Sequence, residues 1–437
     1  MRTPLLVIAA TVMLCGLAQV DAIPPCEGDN QTLHLVDDTM IDAPRELAIE
    51  GSTAIIFQND RSIGDTFRLR FFTRADGVWS EDVDATIYDL PVQGSGFWYP
   101  NQIMDISGDT AIVSTMSGAP ASGEILILQR QGPENIWAVS QTLPALGSED
   151  NFHGLYVAID QDVIVISATH EGDDGNGDSG AVYVYRQNDQ AWFIEDILEP
   201  EITTEVFGYG VAVEGDTIIA GGWGNKSSCT VFDYNGSAWI ETGLLAGSGR
   251  HIGLSNNRAM IGDTIHVRNS DGTWTLEQQL ELPEELTRFW NYGDAQIDND
   301  VVVMAAIAQN VDGTDIDRYY ALVYQHDGTQ WALQTAIEIL ETSSPYALPT
   351  CMGVSEGQVA VGLVDLESAT PFYFDQLLIH TLPCDVDITC DGQIGVDDLL
   401  MVIASWGSDD PDADIFEDGT VDVNDLLLVI SAWGPCP

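Results

Sequence analysis

Near the C-terminus, oxygen-bearing side chains fall at metal-ligand spacing. Asp387, Thr389, Asp391 and Asp398 form one set, with Asp-Gly at 391–392. Asp414, Asp418, Asp422 and Asp425 form a second set displaced by 27 residues, with Asp-Gly at 418–419. A loop of about twelve residues with oxygens at its first, third, fifth, seventh, ninth and twelfth positions surrounds a calcium ion at about 2.3–2.6 Å. The seventh position gives a backbone carbonyl, here Gln393 and Thr420. The sixth needs glycine for a sharp turn, here Gly392 and Gly419. Gly395, ninth in the first loop, reaches an ion only through water, whereas Asp422 reaches it directly. Phe416 offers no oxygen at the third position, so the second site is expected to be the weaker. Calcium is the cofactor this pattern implies.

Other chemistry is poorly represented. His34, His153, His170, His251, His266, His326 and His380 stand in no metal-ligand spacing, and there is no GxSxG, phosphate loop or dinucleotide fingerprint. With 69 Asp and Glu, no single carboxylate pair stands out as an acid/base couple. Only 14 Lys and Arg oppose them, giving a formal net charge of −55, and none follows Arg318. Such a surface repels phosphate backbones and anionic lipid, which argues against a nucleic-acid partner. A hydrophobic fraction of 45% with 11 Trp argues for a packed chain rather than a disordered one.

The acidic loops need elements to hold them. Each runs into an apolar segment, LLMVIASW (399–406) or LLLVISAW (426–433), short enough to be one helix. Neither helix persists alone in water, so the two copies are expected to bury each other's apolar face. Residues 384–437 therefore read as a small two-repeat calcium loop–helix module. It resembles a dockerin, with Asp rather than Glu closing each loop. The resemblance implies a cohesin-like partner contacting loop positions ten and eleven, here Val396-Asp397 and Val423-Asn424; attachment to a cell-surface protein is equally open. It also implies termini that meet, which makes Cys384 and Cys436 the expected disulfide. A helical hairpin with incidental acidic turns is the alternative.

The long region before it repeats. Seven cassettes recur: IEGSTAII (49–56), ISGDTAIV (106–113), IDQDVIVI (159–166), VEGDTIIA (213–220), LSNNRAMI (254–261), IDNDVVVM (297–304) and VSEGQVAV (354–361). Each reads as a tight turn joining two buried strands. After six of them a polar turn leads into a tryptophan strand, at Trp79, Trp137, Trp192, Trp239, Trp274 and Trp331. Another strand-like run, such as GAVYVYR (180–186), lies between the markers. About four strands per unit is the plan of a β-propeller blade, so residues 23–383 are expected to form a seven-bladed, all-β propeller. The seventh unit lacks its tryptophan strand. QTLHLVDD (31–38) resembles the corresponding QTLPALGS and is expected to complete that blade, closing the ring.

Together VFGYGVAVEGDTIIAGG (206–222) and SCTVFDYNGSAW (228–239) resemble the FG-GAP repeat of integrin-like propellers, as do parts of 118–130 and 178–186. Units one, five and seven lack its Phe-Gly start. On the face where blade-entering loops gather, Trp98, Phe152, Phe207, Trp290 and Tyr346 can form a ring for a sugar or peptide; wedges between blades are the favoured reading. Asp173, Asp174 and Asp178, and Asp312, Asp315 and Asp317, can bind calcium, but their irregular spacing favours solvated loops.

Residues 1–22 have the positive start, apolar core and small-residue end of a cleaved signal peptide, which implies secretion and permits disulfides. Cys26 with Cys351 is a further candidate pair. No other segment is long and apolar enough to span a membrane. The function expected is a secreted, non-catalytic propeller recognising an extracellular glycan or protein, joined to a docking module. The alternative is a polysaccharide-degrading glycosidase or lyase tethered by its dockerin-like tail, since propellers also host such enzymes.

Overall fold

A computed structural model describes residues 31–34, 44–60, 66–75, 78–90, 102–115, 123–131, 136–146, 153–170, 180–189, 191–200, 206–222, 228–247, 249–289, 295–309, 317–342, 352–363, 376–382, 386–389, 393–410, 413–416 and 418–435. The chain divides into two compact units, Asp29–Leu382 and a second holding Pro383–Cys436.

The first unit is an all-β propeller of seven blades. Blade one comprises Pro44–Glu50, Thr53–Asp60, Thr66–Ala75 and Val78–Leu90. Blade two comprises Met104–Ser107, Thr110–Ser114, Ile125–Gln131 and Ile136–Leu143, and blade three His153–Asp160, Val163–Ala168, Ala181–Asn188 and Ala191–Leu198. Blade four is built from Val211–Glu214, Thr217–Gly221, Ser228–Tyr234 and Trp239–Ala246, and blade five from Ile252–Ser255, Arg258–Ile261, Thr264–Arg268 and Trp274–Gln279. Blade six departs from four strands. Its innermost strand comes in two pieces, Arg288–Phe289 and Ala295–Asp298, both paired with Val301–Ala308, ahead of Asp317–His326 and Trp331–Thr342. Blade seven takes Met352–Ser355, Gln358–Leu363 and Gln376–Thr381 from the end of the propeller and Gln31–His34 from its start.

Every cassette is the turn between a blade's two innermost strands, and every marker tryptophan opens an outermost strand. The apolar alternation of the cassettes fills the spaces between blades with Ile, Val and Ala, so the core is a series of inter-blade layers. Ring closure follows the same chemistry. Gln31 donates from Nε2 to the Trp79 carbonyl (2.6 Å) and accepts from the Trp79 amide (2.7 Å). Gln141 grips Trp192 in this way, and Gln278 grips Trp331. The N-terminal QTL is thus an outer-strand clasp, joining blade seven to blade one as Gln141 joins blade two to blade three.

Seven further bonds form a closed belt. In each cassette the residue before the turn accepts the first turn amide of the next blade: Glu50 from Gly108, Ser107 from Gln161, Asp160 from Gly215, Glu214 from Asn256, Ser255 from Asn299, Asp298 from Glu356, and Ser355 from Gly51. All seven donor residues lie at φ between 48° and 58°. Glycine reaches that region freely, whereas Gln161 and Glu356 hold it under strain that the belt bond offsets.

Arginines also sit between blades. Arg130 lies over Trp137 (4.9 Å) and donates to Thr53 of blade one. Arg186 binds Glu195 (2.7 Å) and Asp162 (3.1 Å) and lies over Tyr234 of blade four (4.6 Å). Arg258 joins Glu277 (3.0 Å) to Asp300 of blade six (2.7 Å). Arg268 reaches Asp233 of blade four (2.9 Å). Cys229 is a buried free thiol, its pKa raised to about 12 by burial. Cys26, Cys351, Cys384 and Cys436 lie outside the described residues, so neither expected disulfide is described.

The second unit contains two helices, α1 (Val396–Ala404) and α2 (Val423–Ser431). Among the described residues no helix is long and apolar enough to cross a membrane.

Candidate metal loops and docking face

The two tail repeats exchange strands. Ile394 pairs with Gly434, the glycine that follows α2, in a short antiparallel ladder. Reciprocally, Gly407 after α1 donates to the Val421 carbonyl (2.8 Å), and Val421 donates to Ser408 (2.9 Å). Each loop is completed by the end of the other helix, which is why Trp-Gly recurs with the aspartates. Ile394, Val402, Ala413, Val421 and Val429 close a small core, with Leu399 and Leu426 against it.

The last carboxylate of each loop organises that loop. Asp398 accepts from the amides of Thr389 (3.0 Å) and Gly395 (2.7 Å), and Asp425 from those of Phe416 (2.8 Å) and Asp422 (2.6 Å). Both are the third residue of their helix, so they also cap it. Burial opposes ionisation of Asp398, but the amides of Gly395 and Thr389 outweigh it and hold the carboxyl below the ordinary range. Asp414 accepts from Asp418 (3.2 Å) and Gly419 (2.8 Å), and Gly419 adopts φ 88° for the sharp turn. Thr389 places its hydroxyl 3.0 Å from Asp398 and 3.4 Å from Asp387.

Asp387, Asp398, Asp414 and Asp425 are 4%, 1%, 8% and 0% exposed. Asp418 and Thr420 are exposed, and Asp422 is partly buried at the N-cap of α2, accepting from Asn424. Asp391 and the Gln393 side chain lie outside the described residues; the Gln393 backbone pairs with Pro435. Among the described residues no three His, Cys, Asp or Glu side chains are arranged to hold a metal ion. The donor chemistry is nevertheless that of a hard cation: oxygen only, four buried carboxylates, and no Lys, Arg or His in 384–437.

A second feature was not foreseen from the sequence. The helices bury one apolar stripe and expose another, duplicated at the 27-residue interval. Val396, Leu400, Ile403 and Trp406 are 58%, 52%, 50% and 51% exposed, and Val423, Leu427, Ile430 and Trp433 are 51%, 55%, 51% and 51%. Val396 and Val423 are loop position ten; Leu400, Ile403 and their counterparts continue the stripe along each helix.

On the propeller, Phe207 is buried against Phe232, ring centroids 6.2 Å apart, as a wedge rather than a ligand platform. Trp98, Phe152, Trp290 and Tyr346 lie outside the described residues, as do Asp173, Asp174, Asp178, Asp312 and Asp315.

The fold defines a seven-bladed propeller protein, and residues 143–185 match the FG-GAP repeat. No curated protein matches the chain. Solved structures similar to it include a mitotic checkpoint complex chain (TM-score 0.46, 11% identity, covering 80% of this chain and 94% of that one). A lectin from Aleuria aurantia bound to Fucα1-6GlcNAc gives TM-score 0.40 and 10% identity, covering 72% and 99%. A periplasmic gluconolactonase from Pseudomonas aeruginosa gives 0.38 and 14%, covering 68% and 85%. Likeness at this level carries no argument about ligand or activity.

Proposed function

We propose that the chain is a secreted, non-catalytic binding protein whose tail is a calcium-folded, dockerin-like docking module and whose propeller recognises an extracellular glycan or protein. The duplicated exposed apolar stripe carries this reading. Eight large side chains held about half exposed at matching positions in two short helices are a surface waiting for a partner. Calcium is supported by the four buried carboxylates, which no cation within the module neutralises. Asp387, Asp391 and Asp398 would hold the ion in the first loop with the Gln393 carbonyl; Asp414, Asp418, Asp422 and Asp425 would hold it in the second with the Thr420 carbonyl. The bound ion would supply charge compensation and loop rigidity. Thr389 keeps its hydroxyl on Asp398 in that first loop.

The partner is a cohesin-like or other cell-surface protein with an apolar face. Binding of the full chain to immobilised cohesin modules and to cell-surface protein should require calcium and be lost in Leu400→Asp/Leu427→Asp. Calcium-independent binding, or binding unchanged in that variant, would remove the docking reading. A glycan array and a polysaccharide hydrolysis assay address the propeller. Turnover of any polysaccharide would replace recognition by catalysis.

A further inference from the structure

The belt sets the inner strands at one level, so residues counted back from it share a height around the ring axis. Four residues before the belt acceptor stand Glu46, Tyr156 and His251, in blades one, three and five. One step earlier stand Gln102, Tyr209 and Arg250, in blades two, four and five. At about 3.3 Å per residue this level lies roughly 13–17 Å from the belt, at the end where the chain enters each blade. Three of these side chains meet. The Tyr156 and Tyr209 ring centroids are 5.4 Å apart with planes inclined at 59°, and the Arg250 guanidinium carbon lies 5.8 Å from the Tyr209 centroid. Bare backbone permits this: a Cβ on Gly221 would stand 2.3 Å from the Gly249 Cα, so glycine lets the segment entering blade five, with Arg250 next in sequence, close on blade four. The Tyr156 hydroxyl also feels the charges of Arg250 and, from blade one, Glu46. Side chains of blades one, three, four and five converge only around the axis.

Tyr156 is 2% exposed, and its hydroxyl makes no well-formed hydrogen bond. A buried hydroxyl left in that state costs stability, and packing does not need it, since Phe207 fills the same core layer without one. We propose that this axial cluster is the recognition site of the propeller and takes the end of a neutral oligosaccharide, resting on the glycan-recognising reading given above. Phenol rings offer flat faces to a sugar ring. Guanidinium, carboxylate, phenol and amide groups together match hydroxyls that both donate and accept. Arg250 is balanced by Glu46, and the net charge of −55 repels acidic sugars, so the ligand is neutral. Reaching Tyr156 between the inner strands requires a chain end.

The test is titration calorimetry of the full chain with cello-, xylo-, manno- and chito-oligosaccharides, beside a uronic-acid oligosaccharide. A neutral series should bind. Tyr156→Phe should weaken it roughly threefold to tenfold, and Arg250→Gln at least as much. The unfolding midpoint of Tyr156→Phe should equal or exceed that of the wild type, because only an unpaired hydroxyl is removed. Phe193→Ser, on the exposed outer strand of blade three, should bind as the wild type does. If Arg250→Gln does not fold, Tyr156→Phe decides. Wild-type affinity in Tyr156→Phe would overturn the axial site and leave glycan recognition to another part of the propeller. Tighter binding of the uronic-acid probe would overturn the neutral class. Binding of none of these sugars by the wild type would overturn the axial site together with the glycan reading on which it rests.

Discussion

The propeller and the tail solve one electrostatic problem in opposite ways. Both are acidic, but in the propeller Arg130, Arg186, Arg258 and Arg268 stand between blades, where each reaches a group of a neighbouring sheet. The tail has 13 carboxylates between residues 384 and 437 and no basic side chain, and among its described residues four of them are buried. The propeller carries counter-charges within its own sequence; on the calcium reading proposed above, the tail takes them from solution. A short chain can hold many carboxylates inside if its fold is completed by an ion, whereas a large ring can place directional struts between its blades.

The largest effect that sharpens this contrast is cation removal. Calorimetry of the full chain should show a tail transition that disappears in chelator while the propeller transition persists, and equal traces with and without calcium would erase the contrast. Within the tail, Asp398→Ala strands two amides and one hydroxyl and should destabilise by about 1–3 kcal/mol, more than Asp414→Ala, because Phe416 weakens the second loop. Calcium titration followed by circular dichroism compares them, and a greater loss in Asp414→Ala would reverse the ranking of the loops.

Next comes the seam. Removing residues 1–38 should expose the Gln376–Thr381 edge and give aggregation or loss of cooperative unfolding. A truncated protein as stable and monomeric as the parent would mean that the ring closes without its N-terminal strand. Gln31→Ala should cost about 1–3 kcal/mol, since it strands both backbone groups of Trp79 at the seam where the N-terminal strand, paired with Gln376–Thr381, ties blade seven to blade one. Denaturant midpoints for Gln31→Ala and Gln141→Ala test this, with Gln31→Ala expected to be the more damaging.

The smallest effect is a gain. Glu356 holds φ 48° and adds negative charge beside Glu50, so Glu356→Gly should stabilise the propeller by about 0.5–1 kcal/mol. A loss in the same denaturant assay would show that the Glu356 side chain contributes something beyond its turn amide.

Much of this architecture was legible in the residues. Seven cassettes, six tryptophans and a displaced QTL specify blade count and closure, because the strand period and the clasping glutamine are local patterns repeated faithfully. The tail's loop frame was legible for the same reason. Less could be read where the partner is supplied by another part of the chain. The belt acceptor is Glu, Ser or Asp according to blade, so residue type does not mark it; only its register against the next blade's turn does. The divided inner strand of blade six has no pattern of its own. Nor does LLMVIASW reveal which stripe is buried, since it is apolar on every side and only packing against α2 leaves Leu400 and Ile403 outside.

The sequence by itself determined the number of blades, the strand that closes them and two acidic loops in register, all set by short-range periodicity. Tertiary structure alone decided that Asp105 accepts from the Ile159 amide of the next blade, that Cys229 is buried as a free thiol, and that the tail helices keep an apolar stripe in water. These depend on which surfaces meet, and desolvation and proximity exist only after the chain has brought distant residues together.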